Sequence, residues 1–153
     1  MRNKKSFNKK ISEGRFVKIK LHYIKSNHFK VIAKVNNVKG WFIIDTGASN
    51  TFLEQNSIEK FKLYNANLNI QAQGAGPTQI KAKIYKNCSV TIGDWVSKRH
   101  NIASIDLSPI NNALYSAKLK KIDGVIGSDI LRKGKAIIDF NKNYLYLKNH
   151  HKI

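Results

Sequence analysis

Acidic residues are scarce in this chain. Nine Asp and Glu stand against 28 Lys and Arg, for a formal net charge of +19 and a pI near 10.1. Such a balance favours anionic partners: nucleic acid, a membrane surface or an acidic peptide. Arginine is scarce as well, at four against 24 lysines, although its planar fork is what bidentate phosphate and base contacts use. The lysines are spread along the chain with abundant Asn and Ile, as AT-rich coding would give. Weak, salt-sensitive polyanion binding is therefore expected, without defining the function. No run interleaves basic with aromatic residues in the manner of a stacking RNA-binding surface, which disfavours a nucleic-acid-binding domain.

Cysteine is nearly absent. Cys88 stands alone, which excludes an internal disulfide and fits a reducing compartment. With no His-Asp arrangement nearby, it reads as a buried structural thiol. No apolar run approaches the length of a membrane span, and the opening MRNKKSFNKK lacks the apolar segment of a signal peptide. A soluble, cytoplasmic protein without membrane insertion is expected. Metal-ligand spacing is missing too: His22, His28 and His100 are scattered, and His150-His151 has no third ligand nearby. Gly74-Ala75-Gly76 lacks the third glycine of a dinucleotide fingerprint, and Gly127-Ser128-Asp129 lacks the frame of a nucleophile elbow. No cofactor is expected. Linkers, low-complexity segments and a second domain are also lacking. The 153 residues, 42% of them hydrophobic, suit one domain with a modest core. We place a basic tail at 1–13, a domain at 14–149 and a short tail at 150–153.

What is present is mostly strand. Val17, Ile19, Leu21 and Tyr23 alternate with polar residues, as do Phe29, Val31, Ala33 and Val35, the pattern of half-buried strands. Asn36-Asn37-Val38-Lys39-Gly40 has hairpin-turn composition. Trp41 to Ile44 form a continuous apolar strand, buried on both faces, that runs into Asp45. A short helix is expected around Glu54–Phe61, with Ile58 and Phe61 inward. Residues 67–92 predict two or three strands interrupted by QGAGPTQ, and Asn101–Asp106 another. A helix follows in SPINNALYSAKLK, with Ser108 as N-cap, Pro109 at the first helical position, and Ile110, Ala113, Leu114 and Ala117 on one face. KAIIDF-NKN-YLYLKN closes the chain as a hairpin. Two glycine-turn-to-helix units, at Gly47 and Gly127, hint at a pseudo-repeat.

Asp45 poses the chemical question, since a carboxylate at the end of a buried strand costs several kcal/mol unless it is partnered. It opens Asp45-Thr46-Gly47-Ala48, and Asp123-Gly124-Val125-Ile126-Gly127 lies some eighty residues downstream. From about Phe29 to Leu147, these two motifs and the elements between them resemble the retropepsin-like, single-domain aspartic proteases. The resemblance implies a mostly β fold, a closed barrel-like lobe with short helices, that works as a homodimer on a peptide or protein substrate. It implies catalytic roles for Asp45, Thr46 and Gly47. Because only one Asp-Thr-Gly is present, the second carboxylate must come from Asp45 of another copy across a two-fold axis. Thr46 is expected to bond across the dimer, and Gly47 to offer its N–H to the carboxylate.

Substrate contacts are implied for Ala48 and Ser49, and for Gly74, Ala75 and Gly76 at the tip of a flap stiffened by Pro77. Ala48, in place of a serine hydroxyl, implies a less acidic dyad active at mildly acidic to near-neutral pH. Val125 and Ile126 are expected to pack beneath the catalytic loop. Ser49 and Ser128 replace the acid and arginine of the family's usual ion pair, and Tyr144–Leu147 are candidates for its terminal dimer sheet. The same fold also serves a non-catalytic dimerisation or peptide-binding module, which the residues alone leave open.

Overall fold

The computed structural model describes residues 2–66, 68–73 and 79–149. Its elements, in chain order, are α1 (Arg2–Ser12), β1 (Phe16–Lys20), β2 (His22–Tyr23), β3 (Phe29–Val35), β4 (Val38–Ile44), β5 (Phe52–Glu54), β6 (Leu68–Gln73), β7 (Gln79–Ile92), β8 (Trp95–Ile105), α2 (Ser108–Ser116), β9 (Gly124–Ile126), α3 (Ser128–Lys133), β10 (Ile137–Asp139) and β11 (Tyr144–Lys148). The main sheet runs β2-β3-β4-β9-β5-β8-β7-β6, and a further β3–β7 pairing closes its six central strands into a barrel.

Local chemistry explains the hairpins. Asn36 and Asn37 both hold positive φ, 48° and 67°, in a two-residue turn that registers Val35 against Val38. That is the backbone a primed turn demands and asparagine tolerates. β4 is buried on both faces, as the apolar run predicts: Phe42 and Ile44 enter the barrel core with Leu53, Ile102 and Ile126. Ile43 instead joins a second cluster with Leu107, Leu114, Ile122 and Val125. Cys88 is buried at 1% exposure, and burial pushes its thiol up to about 11.

Several local expectations are corrected. The segment read as a basic tail contains helix α1, because Phe7 finds Phe16 and Tyr146 edge-on at centroid distances of 5.7 and 5.1 Å. Its last turn carries Lys9 and Lys10, favourable to the helix dipole. At α2 the cap position is Leu107, not Ser108. Asp106 Oδ1 accepts the Ser108 N–H at 2.8 Å, which draws Ser108 inside the helix. Leu114 is the buried residue of α2, and Ile110, Ala113 and Ala117 lie exposed. Glu54 ends β5 and caps a single 3-10 turn, Gln55–Ser57, although Ile58 and Phe61 do point inward. No helix follows Gly47, so the suggested repeat is one-sided.

The chain's end also differs from expectation. β11 is the central strand of a three-stranded sheet, β1-β11-β10, with Phe16–Lys20 on one edge and Ile137–Asp139 on the other. Tyr144–Tyr146 are paired on both sides and Leu147 with Val17 on one, so in the single chain Tyr144–Tyr146 present no free edge to a strand from another copy. Among the described residues, no helix is long and apolar enough to cross a membrane.

Candidate functional site

β4 delivers Asp45 to the barrel's end. β4 runs parallel to β9, with Phe42 opposite Gly124 and Ile44 opposite Ile126. The Asp45 N–H donates to the Ile126 carbonyl at 3.1 Å, which extends the ladder by one residue. The chain then turns, and the Ala48 N–H reaches the Asp45 carbonyl at 3.3 Å. Asp45 Oδ1 accepts the Gly47 N–H at 2.8 Å. A Cβ at Gly47 would stand 3.2 Å from that oxygen, so glycine gives the carboxylate its closest approach to the backbone. In the single chain Asp45 is exposed, as are Thr46, Gly47 and Ser49, while Ala48 is half-buried. The feared desolvation cost is thus not incurred by one protomer; the carboxylate stands in solvent.

The second motif clamps this loop from beneath. Ser128 donates its N–H to the Ala48 carbonyl and its hydroxyl to the Thr46 carbonyl, each at 2.8 Å. Ser128 therefore spends its side chain on holding the loop where an arginine would have formed an ion pair. The Gly127 N–H donates to Thr51 Oγ1 at 3.1 Å. Val125 packs in the second cluster and Ile126 in the main core, beneath the loop as expected.

Asp129 anchors the clamp. Its Oδ1 accepts the Thr51 hydroxyl and the Ile130 N–H, both at 2.7 Å, and its Oδ2 accepts the Thr51 N–H at 2.9 Å. His100 Nε2 lies 3.0 Å from Oδ2. Burial pushes the Asp129 carboxyl up, but the hydrogen bonds from His100, Thr51 and Ile130 outweigh it and hold the group below the usual range. Sequence reading missed Thr51, His100 and Asp129, since none carries a motif of its own; the acid directly after Gly127-Ser128 was the available signal. A depressed carboxylate stabilises the fold fully above its unfolded value, about pH 4, and the contribution drains away as pH falls through the native value. Asp129→Asn should cost about 2–3 kcal/mol near neutrality. In urea melts its deficit against wild type should narrow below pH 4; parallel pH profiles would contradict this origin.

Strands flank the QGAGPTQ segment as expected. β6 and β7 form a hairpin from Leu68 opposite Ile84 to Gln73 opposite Gln79. Gly74, Ala75, Gly76 and Pro77 lie outside the described residues. A shallow groove of about 330 Å³, lined by Thr46, Ser128, Leu131, Arg132 and Ile138 among others, adjoins the Asp45 loop.

The other eight acids are placed elsewhere. Asp123 accepts the Trp41 N–H and Lys60 Nζ, Asp106 the Ser108 N–H, and Asp139 the Lys142 N–H. Glu54 holds the N–H groups of Asn56 and Leu107, Glu13 pairs with Lys9 and Arg15, and Asp129 serves the clamp. Asp94 lies exposed in the β7–β8 turn and Glu59 exposed beyond the 3-10 turn. Among the described residues, no cluster of three or more His, Cys, Asp or Glu could hold a metal ion.

Residues 31–130 match the family model described as aspartyl protease, which is more than half of the chain. A retropepsin-like aspartic protease from Rickettsia conorii superposes with a TM-score of 0.57 at 23% identity, covering 88% of this chain and 92% of that one. The EIAV protease, complexed with the inhibitor HBY-793, gives 0.53 at 16% identity over 78% of this chain and 99% of its own. The retroviral protease-like domain of Ddi1 from Leishmania major gives 0.51 at 19% identity over 80% and 96%. At such identities the likeness speaks for the fold. No curated protein sequence matches the chain. The matched residues take in the Asp-Thr-Gly loop and the clamp beneath it, and the chain belongs to the aspartyl protease family, with the fold of its retropepsin-like members.

Proposed function

We propose that this chain is an aspartic endopeptidase whose catalytic dyad forms when Asp45 meets Asp45 of a second copy. One observation carries the reading. Asp45 stands exposed and clamped at the end of a core strand, while the other eight acids are bonded or placed elsewhere. The surroundings suit a self-complementary contact. Exposed Tyr23 and Phe140 flank Phe29 at centroid distances of 5.6 and 5.1 Å, and Phe29 is registered against Ile44, beside Asp45.

Two carboxylates about 3 Å apart cannot both ionise, so the pair shares a proton and titrates as one unit. The ionised member takes a proton from a water, which attacks the scissile carbonyl carbon. The protonated member gives its proton to the carbonyl oxygen, and the roles reverse as the amine leaves. Thr46 bonds across the dimer and Gly47 orients the carboxylate. Ala48 and Ser49 contact substrate, and the β6–β7 hairpin closes over it with Gly74, Ala75 and Gly76 at its tip. This chemistry asks for no metal or cofactor, and with alanine at 48 it should run best at mildly acidic to near-neutral pH.

The reading makes activity depend on association. Peptidase activity per chain should fall on dilution in step with the dimer fraction seen by sedimentation. With +19 on each copy, low salt should weaken the dimer and added salt restore it. Cleavage by a protein that sediments as a monomer, with specific activity unchanged by dilution, would refute it.

A further inference from the structure

A second feature lies on the same strand. Residues 41, 43 and 45 alternate onto one face of β4 and its extension, so Trp41 and Asp45 share a face about 13 Å apart at the usual strand rise. At the Trp41 end is a groove of about 980 Å³. Its walls carry Tyr115, which is 82% exposed, and the lysines Lys60, Lys118, Lys120 and Lys121. Asp123 is the carboxylate of its lining, and that charge is already engaged by Lys60 Nζ at 2.7 Å and the Trp41 N–H at 2.9 Å.

The groove is built rather than incidental. After α2 the chain reverses at Lys118, whose φ is +57°, and the Leu119 N–H returns to the Leu114 carbonyl at 2.8 Å. Leu119 packs on the cluster of Ile43, Leu114 and Val125. Asn111 grips both the N–H and the carbonyl of Ile122, at 2.8 and 3.2 Å. Buried Lys30 reaches the Lys120 carbonyl at 3.4 Å while its ammonium lies 4.9 Å from the Trp41 ring centroid. The three exposed lysines are thus presented on a braced turn, and among the described residues none of them forms an ion pair.

We infer that this groove is a subsite for acidic residues of the polypeptide substrate, lying four to six residues from the scissile bond. The inference rests on the peptidase reading. Charge complementarity selects the occupant, and β4, which ends at Asp45 and gives the groove Trp41, ties it to the chain being cut. Ile43 between them is buried under Leu107 and Leu114, so the peptide runs beside that face. An extended peptide covers 13 Å in about four residues, passing the flank of α2, which stands over Ile43. Tyr115 offers a face to an apolar or aromatic neighbour of the acids.

Two peptides with one scissile sequence test this, the first with Glu-Asp-Glu at four to six residues on both sides and the second with Gln-Asn-Gln. The acidic peptide should have about tenfold higher kcat/KM at low salt, shrinking to about twofold in 0.5 M salt. K118Q/K120Q/K121Q should equalise the two peptides with little change on the neutral one. K25Q/K86Q/K142Q, altering exposed lysines elsewhere, should keep the preference. Equal cleavage of both peptides by wild type overturns the subsite while leaving the peptidase reading intact; cleavage of neither strikes that reading instead. Equal loss of preference in both triple variants assigns it to diffuse charge and overturns the subsite. So does competition in which a single-stranded oligonucleotide displaces the acidic peptide better than poly-glutamate of equal charge.

Discussion

Asp45→Asn is expected to lower kcat by about 10³-fold or more and leave the melting temperature within about 1 °C of wild type. The loss follows from the chemistry: an amide cannot take a proton from water, and a dyad of two amides has no proton to share. General acid and base catalysis contributes about 10²–10⁴-fold where a single group is removed, and in the proposed dimer one substitution removes both members. A 10³-fold loss corresponds to about 4 kcal/mol of barrier. Stability should hold because Asp45 is exposed and Asn keeps the oxygen that accepts the Gly47 N–H. Turnover of a peptide library and calorimetry on the same preparations check both halves. Wild-type cleavage with the variant retaining more than about a tenth of it would remove Asp45 from the chemistry. A wild type that binds peptides without cutting them would favour the non-catalytic module.

Gly127→Ala should be the most damaging single methyl in the chain. A Cβ at this position would lie 2.2 Å from the Asn50 carbonyl oxygen, 2.5 Å from the Asn50 carbonyl carbon and 2.9 Å from the Ala48 carbonyl oxygen. All three are backbone atoms of the Asp45 loop's descending limb, so no side chain can swing aside. Relief requires the two loops to separate, which breaks the Ser128 bonds to Thr46 and Ala48 and the Gly127 bond to Thr51. Overpacking alone costs about 1–3 kcal/mol, and more when the neighbours are rigid. With the bonds included we expect at least about 3 kcal/mol, a drop of about 6–12 °C in melting temperature for a chain of this size. Activity should fall further than stability, because in the proposed dyad a displacement of about 1 Å at the Asp45 loop is costly. Full activity at a temperature where the variant stays folded would show that the clamp does not position Asp45.

The barrel was legible because its signals are local and periodic. Period-two alternation located β1 and β3, the Asn-Asn pair located the turn between β3 and β4, and the apolar run before Asp45 located a strand buried on both faces. The family pattern was equally local, resting on Asp45-Thr46-Gly47 and on Val125-Ile126-Gly127. What stayed hidden depends on long-range partners. α1 folds because Phe7 meets Phe16 and Tyr146, and Tyr146 lies 139 positions away. Ser108 lost its capping role to an acid two residues earlier. His100 and Asp129 look unremarkable in sequence and become a pair only when β8 passes α3. Residue type constrains such a pair; only the folded backbone chooses it.

The placement of β11 has a consequence for the proposed dimer. Because that strand is already flanked on both sides within its own chain, its pairing does not depend on a second copy. Separation then unravels nothing. In the proposed dimer, two parted copies would therefore stay folded and ready to rejoin, with no refolding step between them.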